Sequence, residues 1–567
     1  MICSVQNRDG TFRWHEDTAT GAVFSSEDYY FDSRRVITAA KGSDIKVPWE
    51  LSEFGHVRAW VLDGPRKRSP LFLAQWNDWM EKNPLARGVN WACTMKVAVR
   101  AINWSLGMAC WWDEWDVSTR RKFWAAMYDH GRFIRDNLEW SPTDRYNHYF
   151  GDIVGLAVVA ATIGNHQEAE EWGAFAAREI AREILGQFAP DGLNREQSTA
   201  YHRLMVELAT IGVRACEVLN RPVPAACRDR LAAAYRAMRV LGGETGQMPL
   251  VGDNDSASVL RVLPREDGET SYLWAIGARL LPEQALDSGP VSPEYLLLFP
   301  PPNVMPGTPV AQPAKVSLVG QALADSGFFV LGDSRNRMIL RCGPLTYRPV
   351  GAHRHMDQLS FSLWVDGFEL LVDPGQFCYS AWPERGMRYR KSSAHNTVEV
   401  DGLPQSWAYQ PPGGYCYTLF GDPRPRCERF QVDSGHATFV GVHSGYRRLR
   451  RGGDHRRICE FDATRLTWEV RDEVNCAADE GYRWYFHVHP AAVITEIAQG
   501  WRIERGSVGL ELAWQRPSMV RSVILDGAYA PRYGIEHRAS TLVVFQPAAS
   551  SAVAEFQLKA VTLQDQP

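Results

Sequence analysis

The apolar residues of this chain change their period once, and that change limits the possible folds more than any other feature. Over 72–79, 95–108, 123–138, 153–163, 169–188, 204–219 and 231–241, apolar residues recur at intervals of three and four. This is the spacing of amphipathic helices, each with one apolar stripe. In 204–219 the stripe is Leu204, Met205, Leu208, Gly212, Ala215, Cys216 and Leu219. Further on the period is two, over 328–332, 338–342, 437–442, 465–470 and 484–488, which predicts strands separated by turns. Between the two regimes stand Pro300, Pro301, Pro302, Pro306, Pro309 and Pro313. Proline neither continues a helix nor pairs inside a sheet, so this stretch reads as a linker.

The chain is therefore expected to be a multidomain α and β protein. The 567 residues exceed what one compact core accommodates. The expected boundaries are an irregular arm or short strand pair over 1–45, a helical domain over 46–299, a linker over 300–315 and an antiparallel β-sandwich over 316–567. Short polar connections favour antiparallel helix pairs, but periodicity does not separate a toroid from a bundle.

Charge and composition exclude several classes. A net charge of −4 gives no general attraction for nucleic acid, so a polyanionic ligand would need a local basic patch. No apolar run reaches membrane-spanning length. The first residues lack the basic-then-apolar pattern of a secretory leader, so a cytoplasmic location is expected, or a periplasmic one if a leader was removed. Eleven cysteines without CxxC spacing suggest reduced thiols. No membrane or nucleic-acid partner is expected, and a homodimer stays open.

The residues with most chemical potential lie in 351–402. Its sequence is GAHRHMDQLSFSLWVDGFELLVDPGQFCYSAWPERGMRYRKSSAHNTVEVDG. His353 and His355 are two apart and share a face if the chain is extended. Segments 358–365 and 368–372 alternate as strands, with Asp366-Gly367 as a hairpin turn. Asp373 would return beside the histidines, and His395 leads into a further strand over 396–400. Two imidazoles and a carboxylate suit zinc. The other reading is three polar groups merely hydrogen-bonded to one another. In the helical half, Tyr146-Asn147-His148-Tyr149 and Glu196-Gln197-Ser198-Thr199-Ala200-Tyr201-His202 each open a helix. Asp253 and Asp255 form a rival pair of carboxylates, suited either to a glycoside hydrolase or to a turn.

The motifs HxHxDQLSF, LLVDPG and AHNTVxVDG, in this order and spacing, resemble the heparinase II/III-like polysaccharide lyases. The resemblance implies an α/α-toroid packed against an antiparallel β-sandwich, with an acidic polysaccharide in the groove between them. It implies metal ligands at His355, Asp373 and His395 and a substrate-facing His353; for such a donor set zinc is expected, in a structural or groove-organising role. Tyr201 becomes the acid/base, and Asn147 or His148 the group that neutralises the substrate carboxylate. His202, Glu196 and Gln197 become groove residues. The basic run containing Arg385, Arg388, Tyr389, Arg390 and Lys391 becomes a substrate-contacting loop. The implied reaction is β-elimination at a uronic acid, giving a 4,5-unsaturated product. The alternatives are a hydrolase on the same toroid using Asp253 or Asp255, and a non-catalytic polysaccharide-binding protein. The segment 44–50 resembles the family's lead-in to the helical domain. It departs from that pattern where Glu53 stands near the place usually held by arginine.

Overall fold

The computed structural model describes residues 12–34, 42–62, 65–142, 145–299, 319–344, 353–379, 381–408, 419–516 and 521–563. The expected linker over 300–315 lies outside the described residues. Its neighbours behave as the change of period requires: helices precede it, and strands from Gly320–Leu323 onward follow it.

The amino-terminal arm carries a short strand pair, Glu16–Asp17 with Ala22–Val23, and a single helical turn at Tyr30–Ser33. The helical domain begins with Lys46–Ser52 and Val57–Leu62. The longer helices are Pro65–Lys82, Thr94–Trp111, Val117–Asp136, Asn147–Ile163, Gln167–Gln187, Thr199–Val218 and Ala225–Gly242, followed by Trp274–Leu280 and Pro293–Leu298. Their starts are local in origin. The Asp116 carboxylate accepts from Thr119 N, and the Ser198 hydroxyl accepts from Tyr201 N, each satisfying an otherwise orphaned donor of the first turn. Asn147–Ile163 is the central helix, packed against Thr94–Trp111, Val117–Asp136, Gln167–Gln187 and Thr199–Val218. Gly155 permits the closest of these approaches. A Cβ there would lie 2.4 Å from the Cβ of Ala98.

The carboxy-terminal half is antiparallel throughout its named strands. A five-stranded sheet runs in chain order from Gly320–Leu323 to Phe368–Leu371. An eight-stranded sheet has Thr467–Val474 and Ala552–Thr562 paired at its centre. A four-stranded sheet carries Val398–Val400, Tyr482–His487, Ile535–Gln546 and Arg521–Arg532. The bridge Leu371–Val488 links the last strand of the five-stranded sheet to the end of Tyr482–His487 in the four-stranded sheet. The five-stranded sheet serves two cores. Phe328, Val330, Ile339 and Trp364 face the helical domain, whereas Phe329, Leu331, Met338, Leu340 and Leu363 face the sandwich. This is strand alternation with both faces buried. Arg337 ties the same seam, donating from Nη2 to the carbonyls of Gly242 and Gln247 at 3.0 Å each.

Most strands start within two or three residues of the expected positions, and two of the shifts have a local cause. The strand expected from 358 begins at Phe361, because Ser360 N donates to Asp357 O and Leu359 adopts φ +60°. The strand expected from 465 begins at Thr467, after a turn in which Asp462 accepts from Thr464 N and Leu466 adopts φ +47°. The Asp366-Gly367 hairpin is as expected, with φ +48° and +84° at the two turn residues.

Candidate active site

The expected site residues come from both halves of the chain and meet where the helical domain abuts the five-stranded sheet. Tyr201 sits in the first turn of Thr199–Val218. The loop 249–255 lies along this helix start: Thr199 N donates to Val251 O at 3.0 Å, and Ser198 Oγ to Asp253 O at 2.6 Å. Asp253 N in turn donates to the carbonyl of His353 at 2.8 Å. Gly252 is required at this crossing. It holds φ +80°, and a Cβ there would lie 2.6 Å from the His353 oxygen.

His353 and His355 do not lie on one extended segment, since His353 adopts φ +67°. They converge on one carboxylate instead. His353 Nδ1 is 3.2 Å from Asp253 Oδ2, and His355 Nε2 is 3.0 Å from Asp253 Oδ1. The His353 ring stacks on Tyr201 with centroids 3.9 Å apart. Its Nε2 lies 3.4 Å from Glu196 Oε2. Glu196 also fixes Asn147, accepting from its backbone N at 2.8 Å and its Nδ2 at 2.7 Å. Tyr379, which the sequence reading did not single out, places its hydroxyl 3.3 Å from that of Tyr201. Tyr201, Asn147, His353, Glu196, Asp253 and Tyr379 thus form one constellation.

Charge explains why Asp253 can be buried there. Burial alone would raise its carboxyl. Arg390, whose Nε lies 3.6 Å from Oδ1, outweighs this together with the two histidine contacts and holds the group well below the usual carboxylate range. For Asp255 burial acts the same way. Lys46, 2.7 Å from Oδ2, outweighs it, and Lys96 acts in the same sense. A hydrolytic acid needs a raised pKa, so both groups are poorly suited to that role.

His355, Asp373 and His395 also come together, with candidate ligand atoms all within 4.8 Å of one another. His395 Nδ1 is 2.9 Å from Asp373 Oδ2. Nδ1 of His355 and Nε2 of His395 are buried without a hydrogen-bond partner. Orphaned imidazole nitrogens next to a carboxylate are what a metal site without its ion leaves behind, so the donor set fits zinc. The Asp253 contact at Nε2 of His355 would then be the outer hydrogen bond that fixes a ligand histidine.

Other expected residues are placed differently. His202 is buried inside the helical domain rather than lining the groove. Its Nδ1 accepts from Asn194 N, its Nε2 faces the carbonyl of Ala234, and burial lowers its pKa to about 4. Arg390, expected in a substrate-contacting loop, is instead fully buried as the counter-charge of Asp253. Tyr389 is buried and donates to Glu536 Oε1 at 2.7 Å, tying its helix, Pro383–Tyr389, to the long hairpin of the four-stranded sheet. Arg388 and Lys391 are exposed and remain available to a ligand. Gln197 is buried in a left-handed conformation, φ +61°. His148 turns to Glu139, 3.1 Å away, and to Cys93 rather than joining the Tyr201 constellation. Glu53 pairs with Lys96 at 2.5 Å.

A helical toroid, a β-sandwich and a tyrosine–histidine–asparagine group at their junction define the class of the toroid-and-sandwich lyases. The chain belongs to the heparinase II/III-like family: the heparinase II/III N-terminus model matches residues 54–259, and the heparinase II/III-like C-terminal model matches 318–559. It is accordingly a polysaccharide lyase. Solved structures show the same fold. A heparinase III gene product superposes with a TM-score of 0.66 at 17% identity, over 92% of this chain and 80% of that one. The heparan sulfate lyase HepC of Pedobacter heparinus gives 0.61 at 16% identity, over 92% and 78%. A further heparinase III gives 0.68 at 14% identity, over 99% and 80%. No curated protein matches in sequence.

Proposed function

We propose that the chain cleaves an acidic polysaccharide at a uronic acid by β-elimination, leaving a 4,5-unsaturated uronate. The observation that carries this reading is the stacked Tyr201–His353 pair beside an Asn147 amide held in place by Glu196. Elimination removes the C5 proton, forms C4=C5 and breaks the bond from C4 to O4. The C5 proton is weakly acidic because charge develops next to an existing carboxylate. Donors aimed at that carboxylate must take up the charge as it grows. One N–H of Asn147 is used by Glu196, which fixes the plane of the amide and leaves the second N–H for the substrate. Tyr201 takes the C5 proton as phenolate and returns it to O4 where both lie on one face of the sugar. Where they lie on opposite faces, His353 supplies the proton to O4.

His355, Asp373 and His395 would hold zinc, which supplies a fixed positive charge that braces the β-wall of the groove. Heparan sulfate is the first substrate to try, because structures of this fold are described as heparinase III and heparan sulfate lyase. Exposed Arg388 and Lys391 supply local positive charge for a polyanion despite the chain's net charge of −4.

The test is ultraviolet absorbance of the unsaturated uronate on incubation with heparan sulfate, heparin, chondroitin, hyaluronan, alginate and a glucuronan. A rise with one polymer, reduced by about 10²–10⁴ or more in Tyr201→Phe, is the expected result. New reducing ends without absorbance would overturn it in favour of hydrolysis.

A further inference from the structure

A second cluster of metal-ligating side chains lies on the helical domain, distinct from His355, Asp373 and His395. Cys93 precedes the first residue of Thr94–Trp111, Glu139 follows Val117–Asp136, and His148 is the second residue of Asn147–Ile163. Cys93 Sγ is 3.6 Å from Glu139 Oε2 and 3.7 Å from His148 Nδ1, and His148 Nδ1 is 3.1 Å from Glu139 Oε2. Ligands of a tetrahedral zinc, with bonds of about 2.0–2.3 Å, stand roughly 3.3–3.6 Å apart. The three observed separations are within a few tenths of an ångström of that triangle. The donors are also chemically matched: a thiol sulfur, an imidazole nitrogen and a carboxylate oxygen, the borderline-soft mixture that favours zinc over calcium or magnesium.

Burial is graded across the cluster. Cys93 is buried, Glu139 is partly buried, and the His148 side chain is 47% exposed. A fourth ligand position would therefore face water, while the sulfur is shielded. The surroundings orient the donors. Glu139 Oε2 accepts from Met95 N at 2.9 Å, and Glu139 N donates to Asp152 Oδ2 at 2.7 Å. Asp152 is fully buried, and its Oδ1 has no partner.

We propose that Cys93, Glu139 and His148 bind a divalent cation of the zinc class. It pins three helix ends together and, through His148, fixes the start of the helix that presents Asn147. The site differs from His355, Asp373 and His395 in one property that can be read directly: it contains sulfur.

The probe is Co²⁺ added to the chelator-treated, reduced full-length chain. Saturation should produce a thiolate-to-cobalt charge-transfer band in the near ultraviolet, which an all-nitrogen-and-oxygen site cannot give. Cys93→Ser should abolish the band. His148→Ala, a change at a half-exposed side chain that leaves the core intact, should weaken or abolish it and bind one equivalent of metal fewer than the wild type. Zn²⁺ should raise the melting midpoint of the wild type more than that of His148→Ala. Absence of the band at saturating Co²⁺ would overturn the proposal, as would its persistence in Cys93→Ser or an unchanged metal count in His148→Ala.

Discussion

Replacing Asp253 by asparagine tests the electrostatic centre of the site. The substitution keeps the shape and removes the charge. Asp253 is fully buried and accepts from His353 and His355 on separate oxygens, with Arg390 nearby and also buried. Asparagine offers one oxygen and one NH₂. One of the two imidazole donors would then face another donor. Removing one partner of a buried ion pair costs about 3–5 kcal/mol, because the buried Arg390 loses the negative charge of Asp253. Asp253→Asn should therefore lower the chemical-denaturation midpoint markedly and reduce turnover, since His353 loses the contact that orients it against Tyr201. Adding Arg390→Met separates the two effects. The double variant should regain much of the stability, because the buried cation is gone, but not the turnover, because His353 still lacks its anchor. Denaturation followed by circular dichroism and initial rates on the best substrate give the two readouts. Wild-type stability and turnover in Asp253→Asn would refute the reasoning, as would joint recovery of both in the double variant.

Three further outcomes are expected. Glu196→Gln should lower kcat by about 10²-fold with little change in KM, because Asn147 loses a two-point anchor and an ångström of misplacement is enough for that loss; steady-state kinetics will show it. Gly155→Ala should destabilise by about 1–3 kcal/mol, since the new Cβ meets the Cβ and backbone of Ala98, and denaturant titration will measure it. Burial raises Glu369 to about 8, with Arg505 and Arg337 opposing. A raised folded-state pKa contributes stability that is complete below the unfolded value near 4.5 and is lost as pH rises through about 8. Glu369→Gln should flatten the fall of the melting midpoint over that window, and an equally steep fall would refute the assignment.

The division of the chain into helices and strands was legible because apolar periodicity is local. The same holds for the Asp366-Gly367 hairpin, whose turn chemistry is written in two adjacent residues. Periodicity alone did not arrange the helices, because that depends on contacts between distant segments such as Gly155 with Ala98; the toroid was expected from the motif resemblance. In the site, Tyr201, Asn147 and His353 were found through motif resemblance. His202 follows Tyr201 directly, and the step of about 100° around the helix turns it inward to Asn194 and Ala234. Arg390 looked like a surface charge because its counter-charge, Asp253, lies far away in sequence. For the same reason Asp253 read as half of a carboxylate pair rather than as the anchor of two histidines. Tyr379 belongs to no periodic run, and no local signal marked it.

The five-stranded sheet that serves two cores makes the halves of this molecule a welded pair rather than a hinged one. Swinging them apart would expose Phe328, Val330, Ile339 and Trp364 to water. At about 1.5–3 kcal/mol for each side chain, that is roughly 6–12 kcal/mol, comparable with the whole stability of many domains. Access of a polymer to Tyr201, which is 5% exposed, therefore does not come from parting the two halves at this sheet. It follows that neither half will behave as a separable cassette. Grafting a foreign sandwich onto this toroid would have to reproduce the alternating face of that one sheet before any catalytic residue mattered.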